Sequence, residues 1–226
     1  FSLGRLCVED FMEILVLSGN GYGIGALKIL RGMYEKAITA LYLHAKPEEA
    51  ESFLDYYWIA QHKLAQAVIE TFGDEVLPKD KLEETYKMYE QVKDKFMVTA
   101  CRKCDSKQLN HTWSKLDFVS MARAAGSLGK FIVPAYYLPL QHTHATIRAI
   151  LARLKEVGGD GIAFTGYTQK KEADDALMLS HLITLNTVTL QREHFKLESL
   201  QPELDVCNAD YLEIWHGSPK DKPTSV

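Results

Sequence analysis

Gly25-Ala-Leu-Lys-Ile-Leu-Arg31-Gly-Met-Tyr-Glu35-Lys-Ala-Ile38 is the stretch on which the fold turns. Leu27, Leu30, Met33/Tyr34, Ala37 and Leu41 return at intervals of three and four, the spacing of an apolar helix face. The stretch is therefore read as the middle of a helix over residues 24–45. Arg31 and Glu35 lie four residues apart, so a permanent cation and a carboxylate share one face of it. Counting about 100° per residue brings Lys28, Thr39 and Tyr42 onto that face as well. The bland reading is a polar stripe with an i,i+4 ion pair worth a few tenths of a kcal/mol. The alternative is a site, because a polar stripe that faces other helices must find partners inside the protein.

The same periodicity extends on both sides. Phe1 to Leu17 carries Leu3, Leu6, Cys7, Phe11, Ile14 and Leu15 at helical spacing, and Ser18-Gly-Asn-Gly-Tyr-Gly23 ends it. Pro47 and the acids after it open a helix that continues to about Phe72. Lys79 to about Ala100 reads as a charged peripheral helix with a narrow apolar stripe through Leu82, Tyr86, Tyr89, Val92 and Phe96. Cys101 to Thr112 reads as polar and irregular, Trp113 to Ala125 as helix, and Lys130 to Leu138 as an aromatic helix cut or kinked by Pro134 and Pro139. Gln141 to Val157 is expected to be helical up to the stop at Gly158-Gly-Asp-Gly161, and Ile162 to Thr168 to be loop. A long helix spans Lys170 to Leu197, with a break plausible at Thr184, Thr187 and Thr189, and a short one opens at Gln201-Pro-Glu.

The chain has 226 residues, 46% hydrophobic and 25% charged, enough apolar material for one ordinary core. The expected fold is all-α: a single-domain helical bundle of about seven to nine helices over residues 1–217, followed by a flexible polar tail over 218–226. A net charge of −4 gives no bulk attraction to nucleic acid or anionic membrane, and leaves room only for a local basic patch. No apolar run reaches membrane-spanning length, so no membrane partner is expected, and no signal peptide is visible. The chain opens on Phe1 rather than Met, which predicts an upstream segment that has been removed. Four scattered cysteines read as free thiols of a reducing, cytoplasmic compartment.

Tyr136-Tyr137-Leu-Pro-Leu-Gln-His142-Thr-His144-Ala145 offers the groups best suited to meet Arg31 and Glu35. Ile147 and Leu151 follow His144 by three and seven, which sets His144 at the edge of an apolar face, while His142 projects elsewhere. A histidine so placed is commonly a boundary residue, and either tyrosine could fill core volume or lend a hydroxyl. Arg31-x-x-x-Glu35, then Trp113, then Tyr137 followed by His144-Ala145, resembles a mainly bacterial helical family catalogued as domain of unknown function 5677. The resemblance covers about residues 5–155, and Pro139-Leu140 stand where the family pattern has Leu-Ser. It implies that Arg31, Glu35 and His144 meet, with Tyr137 and Trp113 as ligand-binding neighbours, and it names no substrate.

Residue spacing argues against several other chemistries. No arginine is followed by histidine five to seven residues on, against the Arg-x4-6-His of HEPN-type ribonucleases. Only Glu213-Ile-Trp-His216 fits the Glu-x-x-His of a four-helix di-iron site, which needs two. Cys101-Arg-Lys-Cys104 with His111 is part of a zinc pattern that lacks its second pair, so a surface loop is expected and no metal is assigned. Gly19 to Gly25 holds Gly-x-Gly-x-Gly without a preceding strand and reads as a turn, so no cofactor is expected. The function expected is a cytoplasmic binding or regulatory module, in a bacterial stress or defence setting, with a polar cluster of Arg31, Glu35, Tyr137 and His144. Two alternatives stand beside it. One is a phosphodiester or other hydrolase with His144 as acid/base and Arg31 stabilising the developing anion. The other is a structural oligomerisation domain, with a homo-oligomer as its partner state.

Overall fold

The computed structural model describes residues 1–101, 104, 106–159, 161–164, 166 and 170–217, and of Cys101 only the backbone. Helix α2 (Gly23–Ala45) supplies the buried spine: Ala26, Leu30, Met33, Tyr34, Ala37 and Ile38 are at most 1% exposed. These are the positions that the three–four spacing sets on one face. The other helices are α1 (Ser2–Gly19), α3 (Ala50–Phe72), α4 (Lys79–Val92), α5 (Phe118–Ala124), α6 (Leu138–Thr143), α7 (Ile147–Leu151), α8 (Lys170–Phe195) and α9 (Gln201–His216). The helical class expected from the sequence is the class found, with two small hairpins added. The described residues form two compact units, one of Phe1–His44 with those from Phe118 onward, the other of Ala45–Asp117. The tail expected to be flexible, 218–226, lies outside the described residues.

In the first unit α1 runs against α8. Gly4 is covered by side chains of α8: a Cβ there would lie 1.7 Å from Gln191 Nε2 and 3.3 Å from Thr187 Cγ2. Cys7 on α1 is fully buried and its thiol points to the Met33 carbonyl at 3.6 Å. Burial, with Asp10 nearby, pushes that thiol up to about 12, so it is a small apolar core group rather than a nucleophile. No break occurs in α8: Thr184 and Thr187 donate back to the carbonyls of Ser180 and Ile183 at 2.9 and 2.8 Å, which satisfies their hydroxyls within the helix. Helix α9 packs on α8 through buried Leu204 and through Tyr211 and Trp215, whose rings meet His181.

The second unit pairs α3 with α4 over a core of Ile59, Val92 and Phe96, flanked by Tyr56, Trp58, Tyr89 and Leu109. The α4 region differs from expectation. The helix stops at Val92, a 3-10 turn covers Lys93–Phe96, and Met97–Cys101 is strand β1, paired antiparallel with β2 (Ser106–Leu109) in the register Met97↔Leu109. Val98 and Thr99 are β-branched and favour the strand.

A second hairpin replaces the end of another expected helix. Of the helix expected over Gln141–Val157, the first three residues end α6 and Ile147–Leu151 form α7, while β3 (Leu154–Val157) pairs with β4 (Gly161–Phe164) across a turn in which Gly158 and Gly159 both take positive φ. The glycines that read as a helix stop are the hairpin turn, and Ile162–Phe164, read as loop, has its strand partner just upstream.

Candidate functional site

The polar face of α2 meets a π-helical turn, Val133–Tyr137, which leads into α6. Pro134 and Pro139 cannot donate a backbone N–H, which loosens the ordinary ladder at this place. A π turn carries an extra residue, so it rotates the following side chains to a new direction. The residue it aims at α2 is Tyr136.

The Arg31 guanidinium is held from two sides. Its Nη2 lies 2.8 Å from Glu35 Oε1 and donates to the Tyr136 hydroxyl at 3.5 Å. Its carbon sits 4.8 Å from the centre of the Tyr136 ring, within cation–π range. Tyr136 is in turn fixed by Phe118 at 4.7 Å, and Phe118 stands edge-on to Tyr34 at 6.0 Å. Tyr34 anchors the stack in the core, donating to the Leu128 carbonyl at 3.1 Å, and burial pushes its phenol up to about 12. Arg31 keeps 24% of its side-chain surface exposed and Glu35 39%. Arg31 Nε is buried and has no hydrogen-bond acceptor among the described residues. Burial raises the Glu35 carboxyl above its ordinary value, against the lowering effect of Arg31 and Lys36. Lys36 itself is committed to Asp10 at 2.6 Å.

The residues named from the sequence separate. Arg31 and Glu35 meet directly. Tyr137 stands at the rim of the cluster, half-exposed, edge-on to Tyr136 at 5.3 Å. His144 is exposed with an extended backbone (φ −103°, ψ 158°) just past the end of α6, and no hydrogen bond or ion pair among the described residues joins it to Arg31 or Glu35. Trp113 belongs to the second unit, in the segment before α5 rather than in a helix, with its ring edge-on to Phe53 at 5.2 Å. His142, set aside by helical projection, is the histidine that feels the α2 face. It is half-buried, and its imidazole is lowered by burial, with Lys28, Arg153 and Arg148 adding to the effect and Glu172 opposing it. The projection misplaces both because it assumes one helix from Gln141 onward, whereas α6 ends at Thr143 and releases His144 outward. Among the described residues no group of three or more His, Cys, Asp and Glu is placed to hold a metal ion. Of the cysteine pair, Cys104 is exposed and the Cys101 side chain lies outside the described residues.

The family of unknown function DUF5677 matches residues 2–162. The chain belongs to this family. The DUF5677 region runs from α1 into β4 and so contains Arg31, Glu35, the π turn and both histidines. Helices α8 and α9 follow it, with α8 completing the first unit against α1. No curated protein and no solved structure matches the chain. DUF5677 membership names no reaction, so chemistry has to be read from the side chains.

Proposed function

We propose that this protein is a cytoplasmic helical binding module, regulatory in role, whose α2 site takes an anionic group, a phosphate or carboxylate, on Arg31. The observation that carries this is the fixation of the Arg31 guanidinium between the Glu35 carboxylate and the Tyr136 ring while part of it stays open to solvent. A guanidinium held by one carboxylate still has donors to offer, and a planar fork with a fixed orientation suits a bidentate anion. Lys28, one turn earlier on the same face and exposed, leaves the site with net positive charge after Glu35 is counted. The buried Nε–H without an acceptor is the kind of incomplete hydrogen bonding that marks functional places. Tyr137 forms the rim. The hydrolase reading is not carried forward, because His144 has no link to Arg31 or Glu35.

A second reading is favoured by a different feature. The Arg31–Tyr136 contact spans 105 residues of sequence and ties α2 to the π turn, as a register clamp would. Differential scanning fluorimetry with inorganic phosphate, against sodium chloride at equal ionic strength, separates the two. At phosphate 100 times above the dissociation constant, binding stabilises by about 2.7 kcal/mol. The binding reading expects a rise in melting temperature for the wild type and none for Arg31→Met. A wild type that does not respond to phosphate at tens of millimolar, together with a large drop in Arg31→Met, leaves only the clamp.

A further inference from the structure

Charge is distributed very unevenly in the first unit. From Phe118 to Lys155 there is not one Asp or Glu, while Arg123, Lys130, Arg148, Arg153 and Lys155 all fall inside the run. From Glu198 to His216 the pattern reverses: Glu198, Glu203, Asp205, Asp210 and Glu213, with no Lys or Arg. A net charge of −4 hides both.

Each run carries an apolar face open to solvent. On α7, Ile147, Ile150 and Leu151 lie at i, i+3 and i+4, and all are more than half exposed, beside exposed Arg148 and Lys155. On α9 the packed seam is Leu204, Tyr211 and Trp215. Val206 and Glu213 point about 200° and 180° away from Leu204 at helical pitch, on the outer side. Val206 and Ile214, about 80° apart at that pitch, are both more than half exposed on that side, with exposed Asp210 and Glu213 beside them and Asp205 at the edge. An apolar strip edged with cations and an apolar strip edged with anions are complementary surfaces.

We infer that α9 of one copy docks on the α7–β3 surface of a second copy, and that the exchange is reciprocal. The occupant is a second copy because the complement to the basic surface is present on the chain itself. A two-fold axis makes both contacts at once, which closes the assembly at a dimer. Two equivalent contacts then share the roughly 1,200 Å² that a specific interface needs, and a 16-residue α9, about 24 Å long, offers the length.

Sedimentation velocity on the whole chain tests this. The wild type is expected to be a dimer at tens of micromolar in low salt and to dissociate as sodium chloride is raised, with affinity falling roughly tenfold as the charges are screened. Arg148→Glu/Lys155→Glu and Asp205→Lys/Glu213→Lys are each expected to be monomers with wild-type circular dichroism. Mixed in equal amounts, the two variants are expected to form a dimer, since each then meets its opposite at both contacts. The inference is overturned by a wild type that stays monomeric, by a variant that remains dimeric on its own, or by a mixture that stays monomeric. A monomeric wild type that sediments with vesicles of anionic phospholipid, and loses this in Arg148→Glu/Lys155→Glu, also overturns it and assigns the basic surface to lipid. The salt dependence of the wild type needs no variant to fold.

Discussion

Replacing Arg31 by methionine separates a binding residue from a structural one, and its magnitude can be worked out in advance. Methionine keeps the length of side chain over the Tyr136 ring and removes the charge. Lost is an i,i+4 ion pair at 2.8 Å, partly exposed on both sides and therefore worth about 0.3–0.5 kcal/mol. Lost also is the cation–π contact at 4.8 Å, about 0.5–1 kcal/mol at this exposure. The 3.5 Å approach to the Tyr136 hydroxyl is at the outer limit of a hydrogen bond and adds little. Against this, the substitution removes a buried N–H that has no acceptor, a penalty of about 1 kcal/mol. The sum is close to zero, so Arg31→Met should unfold in urea within about 0.5 kcal/mol of the wild type. The Glu35 carboxyl should at the same time titrate at higher pH, followed by its side-chain carbon resonance, because burial remains and the lowering guanidinium is gone. A carboxyl raised in the fold contributes stability that is complete below its unfolded value and lost as pH rises through its folded value. The higher Glu35 value in the variant moves that loss to higher pH. A fall of about 2 kcal/mol or more, on the scale of core mutations, would make Arg31 a structural clamp, and a Glu35 value that does not rise would mean that the guanidinium does not hold it down.

Gly129→Ala places a Cβ 1.9 Å from the Ala122 carbonyl oxygen, so backbone must move; a loss of about 2–3 kcal/mol in urea unfolding is expected, and an unchanged midpoint would contradict the close approach. His62, His142 and His181 are each lowered chiefly by burial. Their contribution to stability is present above the ordinary imidazole value of about 6.5 and is lost as pH falls through the folded values. The melting temperature should therefore drop between about pH 7 and pH 5, and replacing all three by glutamine should flatten the profile; an unchanged slope rejects the assignment. His144→Ala should alter neither stability, within about 0.5 kcal/mol, nor the response to phosphate, since the side chain is exposed and outside the cluster. A lost phosphate response in that variant would return His144 to the site.

What the sequence made legible was the part governed by one periodicity. The spine of α2 follows from the spacing of Leu30, Met33, Tyr34 and Ala37, and the Arg31–Glu35 pair follows from a separation of four. The site's second half was not legible at the level of the residue, because a π turn sits between Val133 and Tyr137 and no apolar period announces it. Counting at helical pitch cannot choose between Tyr136 and Tyr137 across such a turn, and it favours His144 over His142 only if the helix starts at Gln141. The two hairpins were missed for a related reason. Strands of four or five residues give too few positions to establish alternation, and Val157-Gly158-Gly159 reads equally as helix end and as turn. The charge partition of α7 and α9 was present in the sequence throughout, but only exposure of their apolar faces gives it meaning.

On the function proposed above, Arg31 is a fixed, anion-receptive cation on the face of α2. The most direct measurement is the side-chain Nε–Hε correlation of Arg31 in a ¹H–¹⁵N spectrum, titrated with inorganic phosphate. The expected signal exchanges slowly with water, is displaced by the ring current of Tyr136, loses that displacement in Tyr136→Leu, and moves as phosphate is added. A fast-exchanging signal at the position of a free arginine, indifferent to Tyr136→Leu and to phosphate, would contradict the proposed function.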